Sequence, residues 1–333
     1  MTALPRVFIT APVPEEGLEI FSGKATWSIG PPQGPADVEE FLHLLGNAEG
    51  CLVAGNVMEG EVFRRARNLR VISRFGIGYD GVDLPAATER GIIVCNTPVA
   101  PAEATADLTF ALLLAAARGL PQAHDYAKSG EWSRLRKPLP LGHEVHGRTL
   151  GIIGFGRIGQ AVARRAVGFG MKILYHDLVA APEAEEKFAA KRVSLDTLLK
   201  EADFISLHVP LTEQTRLLIG PAEFQKMKSE AILINASRGP VVDQKALYEA
   251  LREKQIAAAA LDVYEEEPLP AEAPLLSLEN VVLTPHIGSA TYATRVAMAR
   301  EAAENILAVL LDGRPINVVN PEVLTRAVFY NHH

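Results

Sequence analysis

The stretch LGIIGFGRIGQAVARRA, residues 150–166, has the pattern of a buried strand, a glycine-rich turn and an amphipathic helix. Gly154, Gly156 and Gly159 form G-x-G-x-x-G, where glycines permit a tight turn, close approach to a pyrophosphate, and close helix–strand packing. The next strand, KILYHD, ends at Asp177, 18 residues after Gly159. A carboxylate there accepts the ribose hydroxyls of NAD and repels the 2′-phosphate of NADP. The stretch therefore predicts a dinucleotide site that favours NAD, with NADP possible.

The composition is that of an ordinary water-soluble protein with room for two domains. The chain has 333 residues, of which 48% are hydrophobic and 22% charged, with a formal net charge of -7. No run of Lys or Arg suits a phosphate backbone, so no nucleic-acid partner is expected. Cys51 and Cys95 stand in the apolar runs CLVAG and IIVCN. We expect both to be buried free thiols in a reducing compartment.

No segment predicts secretion or a membrane span. The N-terminal stretch MTALPRVFITAPVP lacks a charged leader followed by a sustained apolar run. The most apolar piece, LTFALLLAAA at 108–117, is far shorter than the roughly 20 residues that a bilayer requires. We therefore expect a buried helix there and a cytoplasmic protein without membrane contact.

Short apolar runs alternate with helical patterns along most of the chain, which predicts α/β architecture with parallel sheets covered on both faces. The first series of strands is RVFIT, CLVAG, LRVISRF and GIIVCN. The second begins at the glycine turn and reads TLGIIG, KILYHD, FISLHVP, AILINAS, AAALDVY and NVVLTPHI. Two doubly wound domains, each with its own core, are the simplest interpretation. A long amphipathic helix, ATYATRVAMAREAAENILAVLLDG, follows and ends at Gly313.

Polar groups follow the later strands of the second series, where ligands bind in open α/β sheets. The strand ends read HVP at 208–210, NASRG at 235–239, ALDVYEEEP at 260–268 and TPHIG at 284–288. The last three supply Arg238, Glu267 and His286, a cation, a carboxylate and a group that titrates near neutral pH. These residue types suit acid–base chemistry on a substrate that carries a carboxylate.

As a set, NASRGPVVD, ALDVYEEEP, TPHIGSAT, SRFGIGYDGVD and GFGRIG resemble the D-specific 2-hydroxyacid dehydrogenase family, and within it the glyoxylate/hydroxypyruvate reductases. The similarity extends from about residue 5 to 325. It implies two Rossmann- or flavodoxin-like domains, with the nucleotide domain inserted into a discontinuous substrate domain. The substrate domain would comprise residues 1–98 and 290–333, the NAD-binding domain residues 99–289, and the active site the cleft between them. This explains why the glycine turn begins near mid-chain.

The resemblance also implies residue roles. Arg238 would bind the substrate carboxylate and polarise the keto oxygen, His286 would deliver a proton, and Glu267 would orient His286. Backbone amides of Ile77 and Gly78 would hold the other side of the carboxylate. The implied cofactor contacts are Gly154, Phe155, Gly156, Arg157, Ile158, Gly159, Asp177, His208, Val209, Pro210, Thr215, Ala236, Ser237, Arg238, Asp262, His286 and Gly288. Asp262 would accept from the nicotinamide carboxamide, and no metal is implied.

The reaction expected from the resemblance is NAD(P)H-dependent reduction of glyoxylate or hydroxypyruvate to the D-2-hydroxy acid. One alternative is a phosphoglycerate dehydrogenase-like enzyme without a regulatory domain. Another is an NAD-sensing protein like the corepressors of this family, which can retain the same three polar residues. The segment SGEWSRLRKPLPLG at 129–142 contains Trp132, a residue suited to packing within the chain. The resemblance implies a homodimer and, as the alternative for this segment, a position across the dimer interface. The final residues, RAVFYNHH, are assigned no role.

Overall fold

The structure, a computed structural model, describes residues 3–55, 58–134 and 141–325. It contains two compact units, Met1–Pro101 with Ser289–His333, and Ala102–Gly288. Part of the expected dimer segment, residues 135–140, and the terminal RAVFYNHH lie outside the described residues. Each unit contains one parallel sheet, which confirms the predicted α/β fold class with two doubly wound sheets.

The first unit has a five-stranded sheet in the order β2-β1-β3-β4-β5, with every neighbouring pair parallel. Its strands are β1 (Arg6–Ile9), β2 (Thr26–Ile29), β3 (Gly50–Val53), β4 (Val71–Arg74) and β5 (Ile93–Cys95). The helices between them are α1 (Val38–Leu45), α2 (Gly60–Arg65) and α3 (Leu84–Glu89). Asp37 and Asp83 cap α1 and α3 by accepting backbone amides, which fixes where these helices begin.

The second unit has a seven-stranded parallel sheet in the order β12-β11-β10-β9-β6-β7-β8. Its helices are α4 (Pro101–Arg118), which begins at the last residue of the first unit, α5 (Leu120–Lys128), α6 (Arg157–Gly168), α7 (Pro182–Phe188), α8 (Leu195–Glu201), α9 (Pro221–Phe224) and α10 (Gln244–Arg252). Its strands are β6 (Thr149–Ile153), β7 (Lys172–His176), β8 (Ala190–Arg192), β9 (Phe204–Leu207), β10 (Ile232–Asn235), β11 (Ala258–Leu261) and β12 (Val281–Leu283). The strand order reverses between β6 and β9, so a crevice for ligands is expected at their carboxyl ends.

The chain returns to the first unit through α11 (Tyr292–Leu310). Ala299, Ala302 and Ile306 of this helix belong to the core of the first unit together with Val7 and Leu52 of its sheet. Two apolar clusters of buried residues belong to each unit, as expected for sheets covered on both faces. The helix α11 therefore completes the core of the first unit.

Most of the predicted elements are present, and two edge strands were missed. The sequence 108–117 lies within α4, and no helix in the described part of the chain is long and apolar enough to cross a membrane. Cys51 and Cys95 are buried and unpaired, as predicted, and burial raises the pKa of the Cys95 thiol to about 12. The strands β2 and β8 were not predicted, because both are short and largely exposed.

Candidate active site in the second unit

The glycine turn joins β6 to α6, and its three glycines meet different constraints. A Cβ on Gly154, whose φ is 90°, would lie 2.6 Å from the carbonyl of His208. A Cβ on Gly159 would lie 2.2 Å from the carbonyl oxygen of Gly154, so helix and turn are in direct contact. A Cβ on Gly156 would meet no atom within 4 Å. Gly156 also begins α6 without a side-chain cap. Open space beside free helix amides fits a pyrophosphate.

Asp177 follows β7 and is tied to the glycine turn. Its Oδ2 accepts the amide of Phe155 at 2.6 Å, and its Oδ1 accepts the amide of Val179 at 3.0 Å. Each carboxylate oxygen retains one further acceptor position. The guanidinium of Arg192 donates to the carbonyl oxygens of Asp177 and Leu178, at 2.9 and 2.8 Å from Nη2. A carboxylate and a cation therefore lie at the carboxyl ends of the neighbouring strands β7 and β8.

The segment after β9 contributes further polar groups to this edge of the sheet. His208 Nε2 lies 2.7 Å from Ser206 Oγ, whereas its Nδ1 is buried and has no partner among the described residues. Burial lowers the pKa of His208 to about 3, so the ring is neutral. The Thr215 hydroxyl donates to the carbonyl of Pro210 at 2.6 Å and fixes the loop that also carries Val209. An orphaned buried nitrogen and an ordered loop beside Gly154 fit a ligand at this turn.

Arg238 lies on a turn that buried Asn235 organises. Asn235 ends β10, accepts the amide and hydroxyl of Ser237 at 3.0 and 2.8 Å, and donates to the carbonyl of Arg238 at 2.9 Å. The following Gly239 lies against the backbone of Tyr264, since a Cβ there would be 1.8 Å from the Tyr264 carbonyl group. The turn that carries Arg238 is therefore locked on both sides.

His286 and Glu267, which are 19 positions apart in the sequence, form a hydrogen bond. His286 Nδ1 lies 2.6 Å from Glu267 Oε2, and Glu267 Oε1 accepts the amide of Tyr264 at 3.0 Å. Partial burial acts to raise the pKa of Glu267, but the hydrogen bonds from His286 and Tyr264 and the charge of Arg238 outweigh it and lower the pKa. The imidazole side chain remains 50% exposed. A charged carboxylate therefore faces a histidine that a small molecule can reach.

The loop that carries His286 adopts an unusual conformation, held by the buried carboxylate of Asp262. His286 has a φ of 52°, in the left-handed region that is unfavourable for a histidine. Asp262 Oδ1 accepts the Thr284 hydroxyl at 2.7 Å and the Ile287 amide at 2.8 Å. Asp262 Oδ2 accepts the Gly288 amide at 2.8 Å, which leaves one acceptor position on this oxygen. These bonds on either side of His286 stabilise its strained backbone.

The first unit contributes a separate candidate for anion binding, the turn Gly76–Ile77–Gly78 after β4. The turn is anchored through its carbonyls: Gly76 accepts the amide of Thr97 at 3.0 Å, and Ile77 accepts the side-chain amide of Asn96 at 2.8 Å. Within 3–55, 58–134 and 141–325, none of the three turn amides has an acceptor. Free amides in succession are typical of an anion-binding nest.

Comparison with known proteins identifies the family. A model of the NAD-binding domain of D-isomer specific 2-hydroxyacid dehydrogenases matches residues 110–288. The chain belongs to this family. It is 47% identical over 322 residues to a glyoxylate reductase of Korarchaeum cryptofilum, covering 96% of this chain and 97% of that protein. It is also 47% identical over 290 residues to glyoxylate/hydroxypyruvate reductase B of Escherichia fergusonii, covering 87% and 90%.

A solved structure extends the comparison to the fold. The chain resembles an NADPH-dependent glyoxylate/hydroxypyruvate reductase from Sinorhizobium meliloti in complex with NADP and malonate. The TM-score is 0.86 at 33% sequence identity, and the match covers 96% of this chain and 98% of that one. As a D-2-hydroxyacid dehydrogenase, the chain is an oxidoreductase, and residues 110–288 match the NAD-binding domain of that family.

Several residues that organise this site were not predicted from the sequence. Asn235 could have been predicted, because an asparagine that directly follows the apolar residues of a buried strand must find hydrogen-bond partners. Tyr264 gave no such signal, since its contacts with Gly239 and Glu267 depend on tertiary structure. Arg192 ends an unpredicted strand. In the described part of the chain, no group of three or more His, Cys, Asp or Glu could hold a metal.

Proposed function

We propose that this D-2-hydroxyacid dehydrogenase reduces glyoxylate and hydroxypyruvate to the corresponding D-2-hydroxy acid or glycolate. The observation that carries the proposal is the hydrogen bond between Glu267 and His286, 2.6 Å long, on the NAD-binding unit. The substrate assignment rests on the relatives, whose names include glyoxylate reductase and glyoxylate/hydroxypyruvate reductase. We further assign the first unit to substrate binding through its 76–78 turn.

In this proposal His286 holds the proton that the substrate oxygen receives. Its Nδ1 is engaged by Glu267, so Nε2 is the ring nitrogen left to face the substrate. The carboxylate of Glu267, kept ionised by its lowered pKa, hydrogen-bonds to Nδ1 and fixes the orientation of the ring. After the ring has given up its proton, Glu267 holds its orientation for the next one.

Arg238 binds the substrate carboxylate and polarises its keto oxygen. A guanidinium offers five donors in a planar fork, so it serves two oxygens at once. The bonds from Asn235 and the close contact of Gly239 with Tyr264 hold its backbone, which limits the entropy lost on binding. In the first unit, the free amides of Ile77 and Gly78 are the groups assigned to binding a carboxylate.

The groups proposed to hold the dinucleotide are the Gly154–Gly159 turn, the amides that begin α6, Asp177, and the strand-end residues from His208 to Gly288 named above. The bound nicotinamide would supply the hydride that reduces the keto carbon. Asp177 supports a preference for NADH, because its carboxylate repels a 2′-phosphate. Arg192, at the end of the neighbouring strand β8, leaves NADPH usable, because its cation partly offsets that repulsion.

The test is steady-state oxidation of NADH with glyoxylate, hydroxypyruvate and pyruvate, repeated with NADPH and with 3-phosphohydroxypyruvate. Turnover of glyoxylate and hydroxypyruvate with NADH supports the proposal. Faster turnover of the phosphorylated acid indicates the phosphoglycerate dehydrogenase-like alternative. Binding of NADH without turnover of any keto acid indicates the cofactor-sensing alternative and overturns the enzymatic proposal.

The family resemblance also leads us to propose a cytoplasmic homodimer. Light scattering coupled to gel filtration tests the dimer against the monomer mass of 36.0 kDa. A mass near twice this value supports the dimer, and a mass equal to it contradicts the proposal.

A further inference from the structure

A cavity of about 540 Å³ lies at the amino ends of β3, β4 and β5 in the first unit. Its walls come from the segments that lead into these three strands. The turn 76–78 follows β4 at the opposite end of that strand, so the cavity is distinct from the turn assigned to the substrate. Its volume lies within the range typical of small-molecule sites, roughly 300–1,000 Å³. The cavity is therefore large enough for a ligand of its own.

The charges around this cavity are mostly positive. Arg67, Arg70 and Arg90 line it, and the carboxylate that faces them among the described residues is that of Glu49. Three guanidinium groups against one carboxylate leave a formal charge of +2. Like charges gathered around one cavity repel each other, and a bound anion relieves that repulsion. The composition of the walls therefore points to an anionic ligand.

The protein itself uses few of the hydrogen-bond donors on these arginines. The Arg70 side chain is only 25% exposed, yet its Nη1 lies 4.0 Å from Glu49 Oε1, beyond hydrogen-bond distance. Arg90 Nε donates to the carbonyl of Phe63 in the last turn of α2, at 3.3 Å. Among the residues that the structure describes, the other nitrogens of Arg90 and the whole guanidinium of Arg67 have no acceptor. Each arginine therefore retains donors for a ligand.

Neutral polar groups complete the walls. Asn68 Nδ2 donates to Asn47 Oδ1 at 3.2 Å, which leaves the amide nitrogen of Asn47 and the amide oxygen of Asn68 available. A phosphate group alone fills only a small part of the cavity, and amide groups of this kind bind hydroxyls. The remaining space therefore suits a small hydroxylated body attached to the anionic group.

We infer that this cavity binds a small phosphorylated metabolite, whose phosphate oxygens are held by Arg67, Arg70 and Arg90. Guanidinium groups match phosphate geometry with paired N–H donors, and such charge-assisted bonds are about twice as strong as neutral ones. A phosphate monoester carries a charge of about −2 near neutral pH, which balances the +2 of the cavity. None of these residues belongs to the dinucleotide or substrate groups named above, so the site is an additional one.

The test is calorimetric titration of the NADH-saturated protein with inorganic pyrophosphate and with glycerol 3-phosphate, at low ionic strength and without metal ions. NADH is present so that the glycine turn does not bind the probes. We expect one bound anion per chain, with an affinity that falls as salt is added. Arg67→Met and Arg70→Met are each expected to weaken binding by at least about 10-fold. Glu49→Gln should strengthen it by about 3-fold, because the opposing negative charge is removed.

The matched control is Arg300→Met, because Arg300 is exposed on α11 of the same unit and does not line the cavity. Wild-type affinity in this control, together with the losses above, supports the inference. If Arg70→Met does not fold, Arg67→Met and Arg90→Met provide the same test, since both side chains are exposed.

Three results would overturn the inference. The first is a wild-type protein that does not bind glycerol 3-phosphate. The second is binding of both probes that is unchanged in the Arg67 and Arg70 variants. The third is binding that is lost in Arg238→Met but kept in Arg67→Met, which would place the anion at the proposed active site. None of these measurements depends on keto-acid turnover, so the inference and the proposed function can fail independently.

Discussion

Glu267 divides its two carboxylate oxygens between a histidine and the backbone: Oε2 lies 2.6 Å from His286 Nδ1, and Oε1 accepts the Tyr264 amide at 3.0 Å. Tyr264 in turn contacts Gly239 of the Arg238 turn, and its hydroxyl donates to the carbonyl of Thr284 at 2.9 Å. The segments that carry Arg238, Glu267 and His286 therefore meet at one buried tyrosine. This arrangement gives the site its rigidity, and each contact has a measurable consequence.

Replacing Glu267 by Gln is expected to change the pH dependence of the reaction more than the fold. The amide can still hydrogen-bond to His286, but it carries no negative charge beside the ring and cannot titrate, unlike the carboxylate of Glu267, whose pKa is lowered. We expect kcat/KM at pH 7.5 to fall by about 10- to 100-fold and the shape of its pH profile to change. Steady-state kinetics from pH 5 to 9 measures this. An unchanged profile would contradict the role given to Glu267.

Gly156→Ala is expected to reduce dinucleotide affinity without loss of stability. The added Cβ meets no protein atom within 4 Å, so it occupies only the space through which a pyrophosphate approaches the backbone. We expect an unchanged melting temperature and a Kd for NADH raised by at least about 10-fold, about 1.4 kcal/mol. Fluorescence titration gives the Kd. Tight binding by this variant would show that the phosphates do not lie at Gly156.

Gly239→Ala is expected to destabilise the second unit. The new Cβ would lie 1.8 Å from the Tyr264 carbonyl group, a backbone contact that no rotamer change relieves. A loss of about 3 kcal/mol in the free energy of unfolding is expected, together with loss of activity. Gly168→Ala is the matched control, since a Cβ there has no neighbour within 4 Å and replaces an exposed helical glycine. Urea unfolding followed by circular dichroism compares the two, and equal stabilities would contradict the contact.

Asp203→Asn is expected to lower stability in a manner that depends on pH. Asp203 Oδ1 accepts from Lys228 at 2.7 Å and Oδ2 from the Thr149 amide at 2.9 Å. Burial acts to raise the pKa of Asp203, but Lys228 and Thr149 outweigh it, and the folded pKa lies below the usual value. The carboxylate therefore stabilises the fold above the unfolded pKa, and this contribution is lost as pH falls through the lower folded pKa.

For that variant we expect the free energy of unfolding to drop by about 1–2 kcal/mol at pH 7. The difference from the wild type should shrink as the pH falls below about 4, the usual range of an aspartate. Urea unfolding at pH 7, 5 and 3.5 measures the trend. A difference that is constant across this range would show that the charge of Asp203 contributes nothing.

The sequence pattern predicted the buried strands and the turn marked by the glycine motif. The apolar runs of the central strands and the G-x-G-x-x-G turn follow from local rules, so β6, α6 and Asp177 were predicted from the sequence. The edge strand β2, TWSI, was not predicted, because its residues are exposed and apolar residues therefore do not alternate with polar ones along it. The strand β8, AKR, was not predicted either, because it has three residues and two of them are exposed.

The site was predictable as a set of residue types at strand ends, but not as a geometry. The sequence places Arg238, Glu267 and His286 after separate strands, and the parallel order β12-β11-β10 brings those ends to one edge. The left-handed backbone conformation of His286 could not be predicted. It depends on the hydrogen bonds that Asp262 accepts from residues 22 to 26 positions further along the chain.

The proposed role of His286 as proton donor is tested most directly by comparing His286→Ala with the wild type. The measurement is NADH oxidation with saturating glyoxylate, with NADH binding followed in parallel and His124→Ala, an exposed histidine on α5, as control. We expect kcat to fall by at least about 100-fold in His286→Ala, with NADH affinity retained and the control unaffected. A His286→Ala enzyme that retains most of its kcat would show that His286 is not the proton donor.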